Sequence, residues 1–261
     1  MKQNPLLYAL LSILFAMIAC GTPAAAEPTA LPPTTAPEPT AIPPTSPPEP
    51  TVEPSPEPTP TIEPTPTPEN QLFRDDFSGE LQPGWTWENE NPNRWAFTDD
   101  GWLQIIGEHD SLLGEGRQNN LLWYPLPEGD FVITAHLKTL PFENFHQATI
   151  YIYEDPDNFI ALNRGFCAPC STGGGGFYME YKISGDANAY QKATDAEDVY
   201  LRLESKGNII SGYYATAPDQ WERLGRFGNY FQFKKVGIGV TNVRAANDVV
   251  GLFDYFEITR P

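Results

Sequence analysis

Residues 147–163 read QATIYIYEDPDNFIALN. In the first half, three aliphatic residues alternate with Thr149, Tyr151 and Tyr153, and a period of two places the two sets on opposite faces of a β-strand. Residues 155–158, Asp-Pro-Asp-Asn, favour a turn, because proline fixes φ and Asp and Asn side chains bond to nearby backbone. Ile160 and Leu162 then resume the aliphatic face. The stretch predicts a β-hairpin with a buried aliphatic face and a tyrosine face open to a ligand.

From residue 70 onward, short apolar or alternating runs recur with turns between them, and no amphipathic helix of useful length is evident. This texture is typical of an all-β domain, and about thirteen strands favour two sheets packed face to face. The candidate strands are 72–77, 94–98, 102–106, 120–124, 130–139, 147–154, 158–163, 176–183, 199–204, 208–215, 222–225, 235–241 and 250–259. We expect 139–144 and 187–198 to be irregular connections.

The N-terminal 69 residues have a different character. Residues 1–20 combine Lys2 with an apolar run that is too short for a comfortable membrane span, which indicates a signal peptide. The run ends in Met-Ile-Ala-Cys and resembles the bacterial lipoprotein signal, in which the cysteine, here Cys20, is lipidated. An ordinary secretory signal with an incidental cysteine is the alternative. Either signal predicts an extracytoplasmic protein at the cell surface or in the periplasm, and lipidation would anchor it to a membrane.

Residues 21–69 consist almost wholly of Pro, Thr, Ala, Ser and Glu. Such a segment lacks the large apolar residues that offset the entropy of ordering, so we expect a disordered linker of extended polyproline character. It would hold the domain formed by residues 70–261 away from the membrane.

The whole chain has a formal net charge of −18, and because residues 1–69 hold seven Glu and one Lys, residues 70–261 carry −12. An acidic domain repels phosphate backbones, so nucleic acid is excluded as a partner. The acidity serves solubility and is also compatible with divalent cations.

The opening LFRDDFSGELQPGWTW, the Gln147-Ala148 strand, the late Trp221 and the closing VVGLFDYFEI occur in an order that resembles the concanavalin A-like module at the C-terminus of family 43 β-xylosidases and its stand-alone bacterial relatives. The resemblance covers most of 71–260. It implies an antiparallel jelly-roll sandwich of the concanavalin A-like or laminin-G-like kind, often with carbohydrate recognition. In that family the hydrolytic carboxylates lie on a separate propeller domain, so hydrolysis does not carry over.

Catalytic motifs do not emerge from the residues. Some sandwich glycosidases place three acids on one strand as Glu-x-Asp-x-x-Glu. The nearest match begins at Glu108 and Asp110, but Leu113 stands where the third acid should be. We therefore predict no catalytic residue, although an enzyme built from other carboxylates remains open.

The remaining cysteines, Cys167 and Cys170, have the spacing of a redox motif, but no alternating strand and helix pattern surrounds them. A second cysteine pair that could complete a zinc site is also missing from the sequence. Outside the cytoplasm, we predict a small structural disulfide between them.

Three aspartates form a candidate calcium site. Asp75 and Asp76 open the domain, and Asp254 lies in the last strand, which commonly pairs with the first in sandwiches. Ca²⁺ takes six to eight oxygen ligands, including carboxylates. The alternative is that Asp76 bonds backbone amides at a strand end. No cofactor is required by the sequence, and Ca²⁺ is the cation that these residues would suit.

Sugar binding needs aromatic faces and a few polar groups. If the aliphatic sides of the strands form the core, the opposite side presents Tyr151, Tyr153, Tyr178, Glu180, Tyr200 and Arg202 as one platform. Trp85 and Trp87, after a Pro-Gly turn, could add stacking from a loop, whereas Trp95, Trp102 and Trp221 are expected in the core. Tyrosine is also a good strand residue for packing reasons alone.

The sequence thus predicts a surface lipoprotein with a non-catalytic domain that binds a polysaccharide or another glycan. A structural or protein-adhesion module is the first alternative, and its sign would be a sheet face filled by side chains. A glycoside hydrolase or lyase with an unrecognised site is the second, and its sign would be two carboxylates flanking a cleft.

Overall fold

The structure, a computed structural model, describes residues 69–228, 230–243 and 245–261. The predicted signal peptide, the lipidation site Cys20 and all but the last residue of the predicted linker lie outside the described residues. Within the described residues, no helix is both long enough and apolar enough to cross a membrane.

The fold is a sandwich of two antiparallel sheets, which confirms the predicted all-β architecture. Sheet A has the strand order β13-β12-β11-β6-β15-β4-β3, with β1 also paired to β15. Its strands are β1 (Gln71–Asp75), β3 (Trp95–Phe97), β4 (Leu103–Ile106), β6 (Phe131–Thr139), β11 (Asp198–Lys206), β12 (Ile209–Ala215), β13 (Glu222–Gly228) and β15 (Val250–Thr259).

Sheet B has the strand order β10-β9-β8-β7-β14-β5-β2. Its strands are β2 (Thr86–Glu88), β5 (Leu121–Pro125), β7 (His146–Asp155), β8 (Asn158–Cys167), β9 (Gly174–Ile183), β10 (Asp186–Ala193) and β14 (Lys235–Asn242). A four-residue helix, α1 (Leu112–Glu115), precedes β5.

The core lies between the sheets and takes every second residue of each strand. From the β7–β8 hairpin, Ile150 and Ile152 pair with Leu162 and Ile160, and all four are fully buried. The corresponding residues of sheet A, such as Leu201 of β11, pack against them from the opposite side. Burying these aliphatic faces against each other removes both from water, which is the main term that stabilises the sandwich.

At each of the two long edges of the sandwich, an aromatic residue of sheet B contacts sheet A. On one edge, Trp87 of β2 packs against Trp95 of β3 with ring centroids 4.8 Å apart. On the other, the Tyr190 hydroxyl of β10 donates to the Arg226 carbonyl of β13 at 2.8 Å. Gly225 makes this closure feasible, because a Cβ there would lie 2.2 Å from the Tyr190 ring.

Each of the thirteen predicted strands has a counterpart, and two strands were not predicted. β2 has three residues, and β10 falls in the segment expected to be irregular. β10 reads DANAYQKA and is mostly exposed at the sheet edge. An exposed edge strand needs no apolar alternation, so its sequence carries little strand signal.

Asp75 ties the first loop of the domain to the edge of sheet A. This buried carboxylate accepts hydrogen bonds from the Phe77 and Gln82 amides and from Trp85 Nε1, each at 2.8 Å. The Trp85 ring in turn packs against Phe256 of β15 at a centroid distance of 5.1 Å. One carboxylate therefore fixes a loop, a tryptophan and the β1–β15 pair together.

We expect Asp75→Ala to lower the free energy of unfolding by roughly 3 kcal/mol or more, because it leaves three donors without an acceptor. Asp76→Ala is the matched control. The Asp76 side chain is 62% exposed and its ion pair is with the neighbouring Arg74, so the loss should stay below about 1 kcal/mol. Urea denaturation of both variants measures this, and equal losses would contradict the role of Asp75.

Candidate functional site

The predicted sugar platform is divided between the two outer faces of the sandwich. Tyr151, Tyr153, Tyr178 and Glu180 lie on β7 and β9 in sheet B, whereas Tyr200 and Arg202 lie on β11 in sheet A. The segment 194–197 connects β10 of sheet B to β11 of sheet A, so the side chains before and after it face opposite ways. The prediction of one continuous platform is therefore wrong.

The tyrosines of sheet B are covered. Tyr151 is 3% exposed and Tyr153 is 8% exposed, and both belong to a second apolar cluster with Leu112 of α1 and Trp123 of β5. The Tyr151 hydroxyl donates to Gln118 Oε1 at 2.8 Å. Burial raises the pKa of Tyr153 to about 12. These rings pack under α1 and present no open face for a sugar.

Local sequence explains why α1 forms this cover. The Ser111 hydroxyl caps the helix by accepting from the Leu113 and Gly114 amides, and Gly116 ends it with φ 66°. Ser at the N-cap and glycine in the left-handed region are favourable at these two positions. Leu112 of this helix is thereby buried in the same apolar cluster as the tyrosines of β7.

Tyr178 and the two candidate loop tryptophans are also engaged in packing. The Tyr178 hydroxyl donates to the Gly174 carbonyl at 2.6 Å, and its side chain is buried. Trp85 packs against the core and bonds Asp75, and Trp87 packs against Trp95. None of the three stands clear as a stacking surface.

Glu180 is the centre of a polar cluster on sheet B. Its Oε2 accepts from Gln147 Nε2 at 3.0 Å and from Asn163 Nδ2 at 2.9 Å. Burial among the surrounding atoms raises the pKa of Glu180 to about 7, and the two amide donors oppose that rise only in part. Close by, Asn163 Oδ1 and Thr149 Oγ1 are buried without a hydrogen-bond partner among the described residues.

The outer face of sheet A holds a shallow depression of about 380 Å³. Its lining comes from β1, β6, β11 and β15 and from the loop before β13, and consists of Arg74, Thr134, Tyr200, Arg202, Pro218, Asp219, Trp221, Tyr255 and Glu257. Tyr200, Trp221 and Tyr255 are all half-buried, and part of each residue is open to solvent. Arg202 therefore lies among three accessible aromatic rings.

Stacking holds the two guanidinium groups of this depression in place. The Arg202 guanidinium lies over the Trp221 ring at 3.8 Å, and that of Arg74 lies over the Tyr255 ring at 4.0 Å. Arg202 Nε donates to Thr134 Oγ1 at 3.3 Å. Such cation–π contacts are worth about 0.5–2 kcal/mol each, so they fix the side chains on the sheet surface.

A second depression of about 490 Å³ continues from the first and shares Thr134, Arg202 and Glu257 with it. It extends towards the part of sheet A where β1 begins and β15 ends. Its further lining includes Glu204, Lys206 and Arg260. Together the two form a trench over β6, which we call the sheet A trench. The short side chains of Val132 and Thr134 form its floor. The side chains of β11 and β15, the two strands that pair with β6, flank this floor on either side.

Beyond Tyr200, a compact network closes the other end of the trench. The His136 ring stacks on Tyr200 at a centroid distance of 4.2 Å. Its Nε2 contacts Asp198 Oδ1 at 2.6 Å, and its Nδ1 contacts Asp254 Oδ2 at 2.8 Å. Trp102, which the sequence predicts in the core, lies half-exposed beside His136, with its ring centroid 5.3 Å away.

The three aspartates of the predicted calcium site have separate partners. Asp75 holds the first loop, Asp76 pairs with Arg74, and Asp254 contacts His136. The first and last strands do pair, as expected, but the carboxylates do not converge. Throughout the described residues, no group of three or more His, Cys, Asp or Glu side chains is arranged to hold a metal ion.

A disulfide joins Cys167 to Cys170 at the end of β8. Near it, a larger depression of about 730 Å³ lies between α1, the loop 142–145 and the loop after β14. Phe142 and Phe145 are 48% and 43% exposed on its rim. The polar side chains in its walls are already hydrogen-bonded to the backbone of neighbouring loops. Glu143 accepts from the Ala246 amide at 2.7 Å, and Asn144 accepts from the Ala168 amide at 2.7 Å.

Sequence reasoning identified Tyr200 and Arg202 but missed the rest of the trench. Trp221 was expected in the core, yet it stands half-exposed beside Arg202. The position of Trp221 directly after the turn at 217–220 could have indicated this exposure, because a side chain just before a strand begins need not point into the core. Arg74 and Tyr255 meet only because β1 pairs with β15, which the sequence alone does not reveal at residue level.

A family model for the β-xylosidase C-terminal concanavalin A-like domain matches residues 74–259. The GH43 BlXynB protein from Bacillus licheniformis superposes with a TM-score of 0.65 at 18% identity, over 72% of this chain and 39% of that chain. The xylan β-1,4-xylosidase from Bacillus halodurans C-125 superposes with a TM-score of 0.60 at 18% identity, over 77% of this chain and 41% of that chain. No curated protein matches the chain.

A β-glucanase from Bacillus licheniformis is also similar, with a TM-score of 0.52 at 12% identity, over 72% of this chain and 98% of that chain. At these identities the solved structures establish the fold alone, and they confirm the concanavalin A-like sandwich. The chain spans about two fifths of the length of the two GH43 proteins, at 39% and 41%.

The raised pKa of Glu180 predicts a pH-dependent stability. The carboxyl has an ordinary pKa of 4.5 when unfolded and about 7 when folded, so between these values the folded state binds more protons. Stability should therefore fall as pH rises through this window, by no more than about 3 kcal/mol.

Urea denaturation at pH 5 and pH 8 tests this with Glu180→Gln as the reference. The glutamine keeps the size and an acceptor oxygen but does not titrate. We expect the wild-type protein to lose more stability than the variant over this range. Parallel losses would contradict a carboxyl that is kept neutral by burial.

Proposed function

The chain belongs to the family of β-xylosidase C-terminal concanavalin A-like domains, and on this premise we propose that it binds carbohydrate without cleaving it. We assign the binding surface to the sheet A trench. The observation that carries the proposal is the set of three half-exposed rings, Tyr200, Trp221 and Tyr255, around the guanidinium of Arg202. Aromatic faces bind the apolar side of a sugar ring, and polar groups between them bond its hydroxyls.

The shape of the trench favours an extended chain as the ligand. It follows β6 from Val132 towards His136 and is contacted from both sides by the rows of β11 and β15. A strand rises about 3.3 Å per residue, so the distance from Val132 to His136 is roughly 13 Å. That length suits two or more linked sugar units better than one.

The relatives suggest which polysaccharide to examine first. One similar protein is a xylan β-1,4-xylosidase, so soluble xylan and its oligosaccharides form the first set of ligands. A structural or adhesion module is the second candidate. The trench favours the polysaccharide over a flat protein partner, because its two depressions of about 490 and 380 Å³ are open rather than filled by side chains.

Trp221→Ala should weaken binding to xylan about tenfold, because it removes a stacking face and the support of Arg202. Tyr230→Ala is the control, since Tyr230 is 85% exposed and lies outside the trench. Affinity electrophoresis in gels containing xylan measures both variants, and circular dichroism verifies that they fold. Unchanged binding by a folded Trp221→Ala protein would contradict the assignment of the trench.

We also propose that Cys20 carries a lipid and that the Pro- and Thr-rich segment holds the domain away from a membrane. The support comes from the sequence of residues 1–69. The cation site that the acidic composition allows stays a proposal as well, and added EDTA in the xylan assay tests it.

For the anchor, Cys20→Ala expressed in a bacterial host should leave the membrane fraction and lose metabolic labelling by palmitate, because the thiol is the acceptor of the lipid. The unaltered chain should stay in the membrane fraction and be labelled. Equal fractionation of the two proteins would contradict a lipid anchor.

A further inference from the structure

We propose that the carbohydrate bound in the sheet A trench carries carboxylates, as polysaccharides containing uronic acids do, and that Arg202 binds one of them. This inference rests on the proposed function and names its ligand class. It depends on the state of one guanidinium group and on the charges around it.

Arg202 has no acidic partner in the described part of the chain. Its Nε donates to Thr134 Oγ1, and neither Nη atom has a hydrogen bond or an ion pair there. Two other arginines of the domain do have acidic partners. Arg74 pairs with Asp76 at 2.6 Å, and Arg94 pairs with Asp248 at 2.6 Å. The two Nη groups of Arg202 therefore remain available to a ligand.

An unpaired guanidinium in this setting is costly for the fold. Arg202 is half-buried, and its burial lowers its pKa. Removing a charge from water without a compensating partner reduces stability, so such groups are usually paired. A ligand carboxylate would supply the missing partner.

The guanidinium is also oriented for this task. The stacking on Trp221 and the bond from Nε to Thr134 leave its outer edge, with both Nη groups, as the free side. A carboxylate accepts two parallel hydrogen bonds from such an edge, and this geometry is specific to arginine. A sugar hydroxyl would use only one of them.

The neighbouring acids limit how much negative charge the trench accepts. Asp219, Glu204 and Glu257 lie close enough to favour the charged form of Arg202, but none forms an ion pair with it. Glu257 instead lies 3.7 Å from Arg74 Nη1. Because these three acids are interspersed with the trench cations Arg74, Arg202, Lys206 and Arg260, the trench suits single, spaced carboxylates and disfavours densely charged polymers such as sulfated glycans or nucleic acids.

The test compares each acidic polysaccharide with its own neutral form. Glucuronoxylan and polygalacturonate are each used native and after chemical reduction of the carboxyl groups to hydroxymethyl groups. Binding of the full chain is measured by calorimetry for the wild-type protein, Arg202→Gln, Arg202→Lys and Arg226→Gln. Arg226 is exposed on β13 outside the trench, so its variant controls for the change in net charge. Polyglutamate serves as an acidic peptide.

We expect the wild-type protein to bind at least one native polymer about tenfold more tightly than its reduced form, which is the effect of one charge-assisted hydrogen-bonded contact. Arg202→Gln should bring this ratio near one, because the loss of affinity should be larger for the native polymer than for the reduced polymer. Arg202→Lys should give an intermediate ratio, and Arg226→Gln should preserve the wild-type ratio.

Four results would overturn the inference. If native and reduced polymers bind equally well, or if Arg202→Gln keeps the preference, the carboxylate is not recognised by Arg202, although the proposed carbohydrate binding stands. If polyglutamate binds more tightly than any polysaccharide, the partner is an acidic peptide. If no polysaccharide binds in either form, the proposed function falls together with this inference.

Discussion

The core between the two sheets takes every second side chain of each long strand, and this alternation decides which residues can meet a ligand. Ile150 and Ile152 enter the core from β7, and Leu201 enters it from β11. Tyr151 and Tyr200, one residue away in each strand, must then face outward on opposite sides of the molecule. Each outer face has to be stabilised or used separately, because no side chain can serve both.

The two outer faces are treated in different ways. On sheet B, α1 and its flanking residues cover the rings of Tyr151, Tyr153 and Trp123, so that face is a second small core. On sheet A, Tyr200, Trp221 and Tyr255 remain half-exposed and are held by stacking on neighbouring charged or aromatic side chains. Rings that are fixed but uncovered are suited to binding a sugar, since little side-chain entropy is lost when the ligand arrives.

Much of the fold could be predicted from the sequence, because alternation reports directly on which residues enter the core. The inward assignments of Ile160 and Leu162 follow from it and are confirmed. What alternation does not report is the sheet that a strand joins. The apolar residues of β9 and β11 look alike, and the irregular connection expected over 187–198 fits either a pairing of the two strands in one sheet or a crossing to the other sheet. The sugar platform was misassigned at this connection.

The candidate site was predicted only in part for a related reason. Tyr200 and Arg202 are neighbours on one strand, so the sequence could pair them. Trp221 and Tyr255 reach them from strands that are distant along the chain, and Asp75 finds its three donors through the shape of one loop. Contacts of this kind depend on tertiary packing, and short sequence patterns do not encode them.

The six tryptophans allow the central assignment to be tested in one spectrum. The full chain, labelled with ¹⁵N, is titrated with oligosaccharides of glucuronoxylan while the indole Nε1–H signals are followed, each assigned by a Trp→Phe variant. Binding in the sheet A trench predicts a concentration-dependent shift of the Trp221 signal with little change at Trp123, which lies under α1 on the other face. A shift at Trp123 with an unmoved Trp221 signal would contradict the account and place the ligand on sheet B.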